Sequence, residues 1–325
     1  MKAKRAIVRS FGGPEVIEWE EVELGAPAGG EVLVEHEAIG LNFIDTYFRT
    51  GLYPAELPTL LGQEAAGRVV DAGPGSGLKA GDRVATFGPV RGAYATARLI
   101  GADRLFRIPD DISAETAAAS LLKGCTTEYL VERCARVRPG STVLVHAAAG
   151  GVGQLLVQWL KAIGARVIGT VSSDAKAALA RRAGADEVLV TGDGIDIAER
   201  VRELTGATGV EVIFDGVGRN SWDSSLASVA RRGLIVSFGN ASGPVTGVNL
   251  GSLSSHGSLF VTRPTLADYY ATAEERRAGV DRLWSMIREG TLEVTVGARY
   301  PLDRAADAQA DLEARRTTGS VVLVP

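Results

Sequence analysis

The chain has 325 residues, of which 46% are apolar and 23% charged, with a formal net charge of −4. This length exceeds what one core usually organises, so two domains are expected. The mild acidity argues against nucleic acid or a membrane surface as a partner, and no apolar run reaches the roughly 20 residues of a membrane span. The first residues lack the apolar core of a secretory signal, and Cys125 and Cys134 are too few for a disulfide framework. We therefore expect a cytoplasmic protein.

Residues 1–124 have the pattern of short strands separated by glycine and proline. Apolar and polar residues alternate with a period of two, most clearly in "VLVEHEAIG" at 32–40, which is typical of half-buried antiparallel strands. We predict a small β-barrel or sandwich. Its strands are predicted at 4–10, 16–24, 31–40, 65–73 and 83–88.

From about residue 125, apolar strands alternate with amphipathic helices. Strands are predicted at 142–147, 165–171, 186–191, 210–218 and 234–240, with helices at 151–164, 174–184, 195–206 and 220–233. Continuous apolar strands of this kind are typical of buried parallel strands, so an α/β fold with a doubly wound (Rossmann) sheet is expected. The C-terminal residues include another strand that would return to the first domain. The expected domains are 1–124, 125–263 and the returning segment 264–325.

A glycine turn joins the first predicted parallel strand to the first helix. Ala148, Gly150 and Gly153 have the spacing of a dinucleotide-binding turn, with alanine in place of the first glycine. Gly150 would let the backbone approach a pyrophosphate, which the helix N-terminus would bind through its amides. His146 is expected to pack beside the turn. The alternative is a tight turn with only a structural role.

The end of the second parallel strand predicts which dinucleotide is bound. An NAD site has an acidic residue there for the ribose 2′-hydroxyl, and this chain has Val171. The hydroxyls of Ser172 and Ser173 and the ammonium group of Lys176 suit a 2′-phosphate, with Asp174 as the helix N-cap. NADPH is therefore predicted. The alternative is that the serines are capping residues and Lys176 is a solvated surface charge.

Several motifs together resemble a known family. These are "GLNFIDTYFRTGLYP" at 40–54, "HAAAGGVGQ" at 146–154, "SFGNASGPVTGVNL" at 237–250 and "VTRPTL" at 261–266. They are similar to the medium-chain dehydrogenase/reductase superfamily, and more narrowly to the bacterial NADPH:quinone oxidoreductases related to ζ-crystallin. The resemblance runs along essentially the whole chain. It implies a GroES-like β-barrel catalytic domain beside the Rossmann domain.

The resemblance also implies that no metal is bound. Zinc members of the superfamily use a Cys, a His and a second Cys, and the matching positions here are Asn42, Gln63 and Lys123. None of these is a good zinc ligand, since zinc prefers thiolate, imidazole or carboxylate. Lys123 is expected to pair with Asp45.

Without a metal, the acceptor must be easily reduced, and a quinone qualifies because hydride addition gives an aromatic product. The resemblance places the Asn42 amide near the nicotinamide, as a donor where negative charge develops. Tyr47 and Tyr53 would line the cleft or donate a proton, and Gln63 would hydrogen-bond in the former metal position. For both tyrosines the alternative is ordinary packing.

The remaining cofactor contacts are implied position by position by the resemblance. They are Asn42, Phe43, Asp45, Tyr47, Lys123, Thr127, Tyr129, Gly150, Gly151, Val152, Ser172, Ser173, Lys176, Phe238, Gly239, Asn240, Ala241, Ser242, Arg263, Pro264, Thr265, Leu266 and Arg315. Thr191 stands where family members often carry a tyrosine near the adenine.

The expected function is NADPH-dependent reduction of a small-molecule quinone by hydride transfer, without a metal. One alternative is a zinc-free reductase of the same superfamily that acts on enones or enoyl thioesters. Another is an NADPH-binding protein of low turnover with a crystallin-like or RNA-binding role, against which the acidic composition argues. A homodimer is expected through residues 231–264, where apolar strands near the edge of the parallel sheet could pair across a two-fold axis.

Overall fold

The computed structural model describes residues 1–191 and 194–325, which form two compact units. The first unit comprises Met1–Cys125, Thr272–Arg288 and Val294–Pro325. The second comprises Thr126–Ala271 and Glu289–Glu293. No helix within the described ranges has both the length and the apolar character needed to cross a membrane.

The first unit is built mainly from antiparallel strands. Its strands are β1 (Lys2–Val8), β2 (Ile17–Glu23), β3 (Glu31–Leu41), β4 (Thr59–Leu60), β5 (Glu64–Ala72), β6 (Arg83–Phe87), β7 (Ala97–Gly101), β8 (Phe106–Arg107), β15 (Val296–Pro301) and β16 (Ser320–Val324). One sheet has the order β2-β1-β4, and the other the order β15-β16-β3-β5-β6-β8, with β7 also paired to β3. Among the strands that the structure describes in this unit, β15 and β16 form the only parallel pair.

The alternation in β3 determines which side of this sheet is buried. Val32 and Val34 are buried with Val69, Val84 and Ile100 in one apolar cluster, whereas Glu35 and Glu37, farther along β3, are exposed. Burial of such side chains contributes roughly 1.5–3 kcal/mol each. The period-two pattern therefore predicted both the strand and its core face.

Four helices complete the first unit. They are α1 (Phe43–Arg49), α2 (Ala114–Glu128, which contains the unit boundary), α9 (Ala273–Arg288) and α10 (Ala305–Glu313). The guanidinium of Arg49 is fully buried and connects α1 to α10 by donating to Gln309 Oε1 at 2.6 Å and to Glu313 Oε1 at 2.7 Å. After α2 the chain continues as a π-helix over Tyr129–Cys134.

The second unit is a six-stranded parallel sheet with the order β11-β10-β9-β12-β13-β14. Its strands are β9 (Thr142–Val145), β10 (Arg166–Val171), β11 (Glu187–Val190), β12 (Val210–Asp215), β13 (Val229–Ser237) and β14 (Phe260–Thr262). Its helices are α3 (Gly151–Ala162), α4 (Asp174–Arg182), α5 (Ile197–Leu204), α6 (Trp222–Ser228), α7 (Leu250–Ser255) and α8 (Leu266–Tyr269). The predicted doubly wound sheet is thus confirmed.

The observed sheet differs from the predicted one at one edge. A sixth strand, β14, lies beside β13, and α6 ends at Ser228, five residues before the predicted end of the helix at 233. Val229 instead begins β13, because it pairs with Val210 of β12 and is fully buried there. Tertiary pairing therefore overrides the helical pattern that continues in the sequence.

Candidate functional site

In the first unit, the candidate site is built around the start of α1. Asn42 directly follows β3 and is the N-cap of α1. Its backbone amide donates to Asp45 Oδ2 at 2.9 Å, and the Asp45 amide donates to the Asn42 carbonyl at 3.0 Å. An Asn N-cap and an acidic residue three positions later are favourable helix-start residues. The sequence thus fixes the backbone at Asn42 through its own local contacts.

The Asn42 side chain joins a buried polar cluster centred on Glu64. Asn42 Nδ2 donates to Glu64 Oε2 at 2.8 Å, Lys123 Nζ donates to the same oxygen at 3.1 Å, and the Leu122 amide donates to Oε1 at 2.7 Å. Glu64 is fully buried, and Lys123 and Asn42 are 5% and 6% exposed. Lys123 therefore forms an ion pair with Glu64, and its charge also acts to lower the pKa of Asp45, its expected partner.

These contacts test whether the first unit suits a zinc ion. The positions that match zinc ligands of the superfamily hold two amides and an ammonium group, Asn42, Gln63 and Lys123, and all three are buried. An ammonium already placed against Glu64 supplies the positive charge there, and it cannot coordinate a cation. Within residues 1–191 and 194–325 no group of three or more His, Cys, Asp or Glu side chains is arranged to hold a metal. The residues present do not fit zinc.

Asp45 is turned into the interior of the first unit. Besides the Asn42 amide, its Oδ2 accepts from the Tyr94 hydroxyl at 3.0 Å, and Gln309 Nε2 donates to that hydroxyl at 3.4 Å. Burial raises the pKa of Asp45 to about 7, and the hydrogen bonds from Asn42 and Tyr94 oppose this shift. Burial also raises the pKa of Tyr94. The carboxyl of Asp45 thus supports α1 from inside, and its predicted contact with a cofactor stays a prediction.

The aromatic side chains of α1 pack on one another and on Tyr53, which follows the helix. The ring centroids of Tyr47 and Tyr53 are 5.1 Å apart, and those of Phe43 and Tyr47 are 6.4 Å apart. The Tyr53 amide donates to the Tyr47 carbonyl at 3.0 Å. Tyr47 is 7% exposed and Tyr53 is half-buried. The structure therefore brings the two predicted tyrosines together, with Tyr53 the more accessible.

In the second unit, the glycine turn leads directly into α3. Gly150 is the N-cap, and no side chain caps this twelve-residue helix. A Cβ at position 153 would lie 2.2 Å from the Ala147 carbonyl oxygen, so only glycine fits there. The amides of the first turn are then available to an anion, and the helix dipole favours one. This turn fits the pyrophosphate of a dinucleotide.

The predicted 2′-phosphate residues lie at the end of β10. Val171 is buried, Ser172 is exposed, and Ser173 is the N-cap of α4, accepting from the Lys176 amide at 3.4 Å. The N-cap is thus Ser173 and not Asp174, which is the first residue of the helix. Thr191 donates to the Val171 carbonyl at 3.1 Å, so its hydroxyl holds the neighbouring strand end.

Two loops meet where β12 and β13 end. A Cβ at Gly239 would lie 2.4 Å from the Gly216 carbonyl oxygen, and the Phe238 ring packs against Gly216. Ser242 Oγ donates to the Val217 carbonyl at 2.8 Å, and the Ala241 amide donates to the Gly216 carbonyl at 3.2 Å. The predicted loop 238–242 is therefore held as one body with residues 216–217.

The segment after β14 is attached to the same loop. Arg263 Nη1 donates to the carbonyls of Ser237 and Gly239 at 2.8 and 3.0 Å. Thr265 caps α8 by accepting from the Asp268 amide. Pro264 and Leu266 flank this cap, Asn240 lies in the loop, and Gly151 and Val152 begin α3. The structure thus brings Arg263 and the loop after β13 together.

Tyr129, a predicted cofactor contact that begins the π-helix, lies in a tyrosine cluster that the sequence did not reveal. Tyr129 is 3% exposed and stacks on Tyr269, with ring centroids 4.7 Å apart. Tyr270 donates to Glu128 Oε2 at 2.8 Å, and Arg133 lies 4.8 Å from the centre of the Tyr270 ring. Because π-helical turns often occur at functional sites, the change of helix type after Glu128 marks this segment.

The predicted residues Thr127 and Arg315 differ in their exposure. Thr127 and Cys125 are fully buried, and Arg315, in the first unit, is exposed with a left-handed backbone (φ 59°) just after α10. Glu64 and the partners of His146 were also missed, because single-sequence reasoning does not reveal which polar side chains meet in a core. Glu64 directly follows the predicted residue Gln63 in the sequence "GQE" at 62–64.

Two family models match this chain. Residues 28–131 match the alcohol dehydrogenase GroES-like domain, and residues 151–281 match the zinc-binding dehydrogenase family. The expected GroES-like and Rossmann architecture is therefore confirmed.

The chain is also similar to characterised relatives along its whole length. It is 50% identical to a quinone oxidoreductase of Pseudomonas aeruginosa, covering 99% of this chain and 100% of the relative. It is 40% identical to a 2-haloacrylate reductase of a Burkholderia species, covering 98% of each. The crystal structure of Escherichia coli quinone oxidoreductase complexed with NADPH superposes with a TM-score of 0.96 at 48% identity, covering 99% of this chain and 100% of that chain.

Proposed function

This chain belongs to the quinone oxidoreductase family of the medium-chain dehydrogenases/reductases, and we propose that it reduces quinones with NADPH without a metal ion. The observation that carries the proposal is the cluster of Asn42, Glu64 and Lys123, which places hydrogen-bond donors where zinc members of the superfamily carry metal ligands. The similarity to the Pseudomonas aeruginosa quinone oxidoreductase supports a quinone as the substrate. The similarity to the Escherichia coli quinone oxidoreductase complexed with NADPH supports NADPH as the cofactor.

In this proposal the second unit binds the cofactor. The amides that begin α3 bind the pyrophosphate, and Ser172, Ser173 and Lys176 bind the 2′-phosphate. The loop 238–242 and Arg263 form the remaining contacts that this unit contributes. When bound, NADPH supplies a hydride from its nicotinamide ring.

The first unit acts on the acceptor. One N–H of the Asn42 amide is held by Glu64 at 2.8 Å, while the other has only a weak contact with the Gly40 carbonyl at 3.5 Å. This second N–H is the donor that Asn42 offers to the quinone oxygen on which negative charge develops. Transfer of one hydride from NADPH to the quinone gives the hydroquinone anion, and the addition of one proton to its oxygen gives the hydroquinone. Tyr47, Tyr53 and Gln63 line the acceptor site, with Tyr53 as the more accessible proton donor.

The reduction of an activated carbon–carbon double bond is a second candidate function. It is favoured by the 40% identity to a reductase whose name specifies 2-haloacrylate. Hydride addition to such an acceptor also places negative charge on an oxygen, so the same donors would serve. The acceptor therefore has to be identified by its chemistry.

A screen of purified protein tests the proposal and separates the two candidates. NADPH oxidation should be fast with 1,4-benzoquinone or 1,4-naphthoquinone, and slow with 2-alkenals and 2-chloroacrylate. Activity should persist after chelation, and elemental analysis should find no stoichiometric zinc. Turnover with the alkenes alone would favour the second candidate, and one zinc per chain would contradict the metal-free assignment.

We further propose a homodimer formed through β14. This strand is an edge of the parallel sheet, and its residues Phe260 and Val261 are 62% and 38% exposed. Val248 and Leu250, which precede the strand in the sequence, are 40% and 77% exposed. An open, apolar edge suits a second copy of the same strand across a two-fold axis. Light scattering should give twice the chain mass, and Phe260→Lys should give the mass of one chain.

We also propose that the protein is cytoplasmic. Cys125 and Cys134 form no disulfide, which suits a reducing compartment. Fractionation of cells expressing the tagged chain should recover it with cytoplasmic markers.

A further inference from the structure

His146 lies between the end of β9 and the glycine turn, and both of its ring nitrogens have partners. Nδ1 is 2.9 Å from Thr170 Oγ1, and Nε2 is 3.0 Å from Ser225 Oγ. Ser225 Oγ in turn donates to Asp215 Oδ2 at 3.1 Å. The imidazole is 5% exposed. The chain of contacts thus runs through the ends of three neighbouring parallel strands, β10, β9 and β12.

The carboxylate at one end of this chain determines the direction of every hydrogen bond in it. Asp215 also accepts from the amides of Val217 and Gly218, so it is an acceptor throughout. Ser225 must then use its hydrogen toward Asp215 and its lone pair toward His146. His146 therefore carries its proton on Nε2, and its Nδ1 accepts from the Thr170 hydroxyl.

The residue that follows His146 has a strained backbone. Ala147 has a φ of 53°, in the left-handed region that non-glycine residues rarely adopt. This conformation lets the Gly150 amide donate to the Ala147 carbonyl at 2.9 Å, and the Ala148 amide donate to the Thr170 carbonyl at 3.0 Å. Strain of this kind persists only where the surroundings hold it in place.

We infer that His146 is a positioning residue that keeps the Ala147 turn in its strained shape, and with it the amides that would receive the pyrophosphate. Three hydrogen bonds hold His146 in place. Its two ring nitrogens make two of them, and its backbone amide makes the third by donating to the Phe214 carbonyl at 3.0 Å. Loss of the ring contacts lets Ala147 relax toward negative φ and moves Ala148–Gly151 away from a shape that fits a phosphate. The inference rests on the proposed NADPH function.

A double-mutant cycle tests the inference through NADPH binding. Ser225→Ala removes the link between His146 and Asp215 and should weaken NADPH binding about tenfold, equivalent to about 1.4 kcal/mol. Glycine adopts positive φ without strain, so in an Ala147→Gly background the same substitution should weaken NADPH binding less than about threefold. Titration of NADPH fluorescence measures all four dissociation constants.

Ser224→Ala is the matched control for this cycle. Ser224 also lies on α6 and donates to the Ser221 carbonyl at 2.9 Å, but it belongs to neither the His146 chain nor the predicted site. Its NADPH affinity should equal that of the parent. An unchanged affinity in Ser225→Ala, or an equal loss in both backgrounds, would overturn the positioning role. A parent chain that binds no NADPH would instead overturn the proposed function.

The protonation state of His146 gives a test that needs neither turnover nor cofactor. The chain has three histidines, so ¹⁵N spectra of histidine-labelled protein are simple to assign with His146→Leu and His256→Gln. His146 should carry its proton on Nε2. His36, whose Nδ1 lies 2.7 Å from the Ala95 carbonyl, should carry its proton on Nδ1. A proton on Nδ1 of His146 at neutral pH would contradict the direction of the chain.

Discussion

Lys123 and Glu64 form a buried ion pair, with Nζ 3.1 Å from Oε2 and side-chain exposures of 6% and 0%. The Asn42 amide and the Leu122 amide complete the hydrogen bonding of the Glu64 carboxylate. A fully hydrogen-bonded pair of this kind offsets the cost of removing two charges from water, whereas one of the charges left alone does not.

Removing one partner of this pair should therefore lower the free energy of unfolding more than removing both charges. Lys123→Met should lower the free energy of unfolding by about 3–5 kcal/mol, because it leaves the Glu64 carboxylate buried without its cation. The double variant Lys123→Met/Glu64→Gln should recover a large part of that loss. Urea denaturation of the two variants and the parent measures both effects. Equal stability of the single variant and the parent would show that the pair contributes nothing.

Asn42→Ala should lower kcat with a quinone more than it weakens NADPH binding. The amide is proposed to donate where charge develops in the transition state, and the loss of one such hydrogen bond costs about 1–3 kcal/mol. Steady-state kinetics beside a fluorescence titration separates the two effects. Unchanged turnover would leave Asn42 with its role as the N-cap of α1.

Lys176→Ala should weaken NADPH binding about tenfold and leave NADH binding nearly unchanged. A charge-assisted hydrogen bond to the 2′-phosphate contributes about 1.5–3 kcal/mol, and NADH lacks that phosphate. The difference should shrink at high salt, because the residues beside it are partly exposed. Lys176→Ala/Arg315→Ala is the stricter test, and a double variant that still prefers NADPH like the parent would contradict the assignment.

Asp45 should make the stability of the folded chain depend on pH. Its pKa is raised from 3.8 to about 7, so between these values the folded state binds more protons than the unfolded state. Its contribution to stability therefore falls as pH rises from about 4 to 7, by on the order of 4 kcal/mol, and is constant above that.

Asp45→Asn should remove this pH dependence while keeping an acceptor for the Asn42 amide and the Tyr94 hydroxyl. Urea denaturation of parent and variant at pH 5, 6, 7 and 8 makes the comparison, and parallel curves would assign the pH dependence to other groups. Tyr94, Lys123 and Glu64 are the titratable groups that influence Asp45.

The sequence predicted the parallel sheet well because its signal is local. The strands β9, β10 and β12 each contain a short run of buried apolar residues, and each is followed by a helix. At Val229 the local pattern does not determine the structure. It continues a helical pattern, but pairing with Val210, nineteen positions earlier in the sequence, makes it the start of a strand.

The candidate site could be predicted only in part, for the same reason. The glycine turn occupies one continuous stretch of the sequence, and the residues after β10 occupy another. The residue types in these two stretches alone predicted a pyrophosphate site and a 2′-phosphate site. The pairing of Lys123 with Glu64 was not predicted, because Glu64 is 59 positions away and lies beside it only through the fold. The tyrosine cluster of Tyr129 and Tyr269 joins residues 140 positions apart, and neither tyrosine differs locally from an ordinary packing residue.

The place of β16 in the sheet has a consequence for how the chain folds during its synthesis. This strand, Ser320–Val324, lies between β15 and β3, so the larger sheet of the first unit is incomplete until these residues have left the ribosome. The last residue of the second unit is Glu293. Vectorial synthesis should therefore let the parallel sheet fold first, while the N-terminal strands, although made earlier, await their last partner.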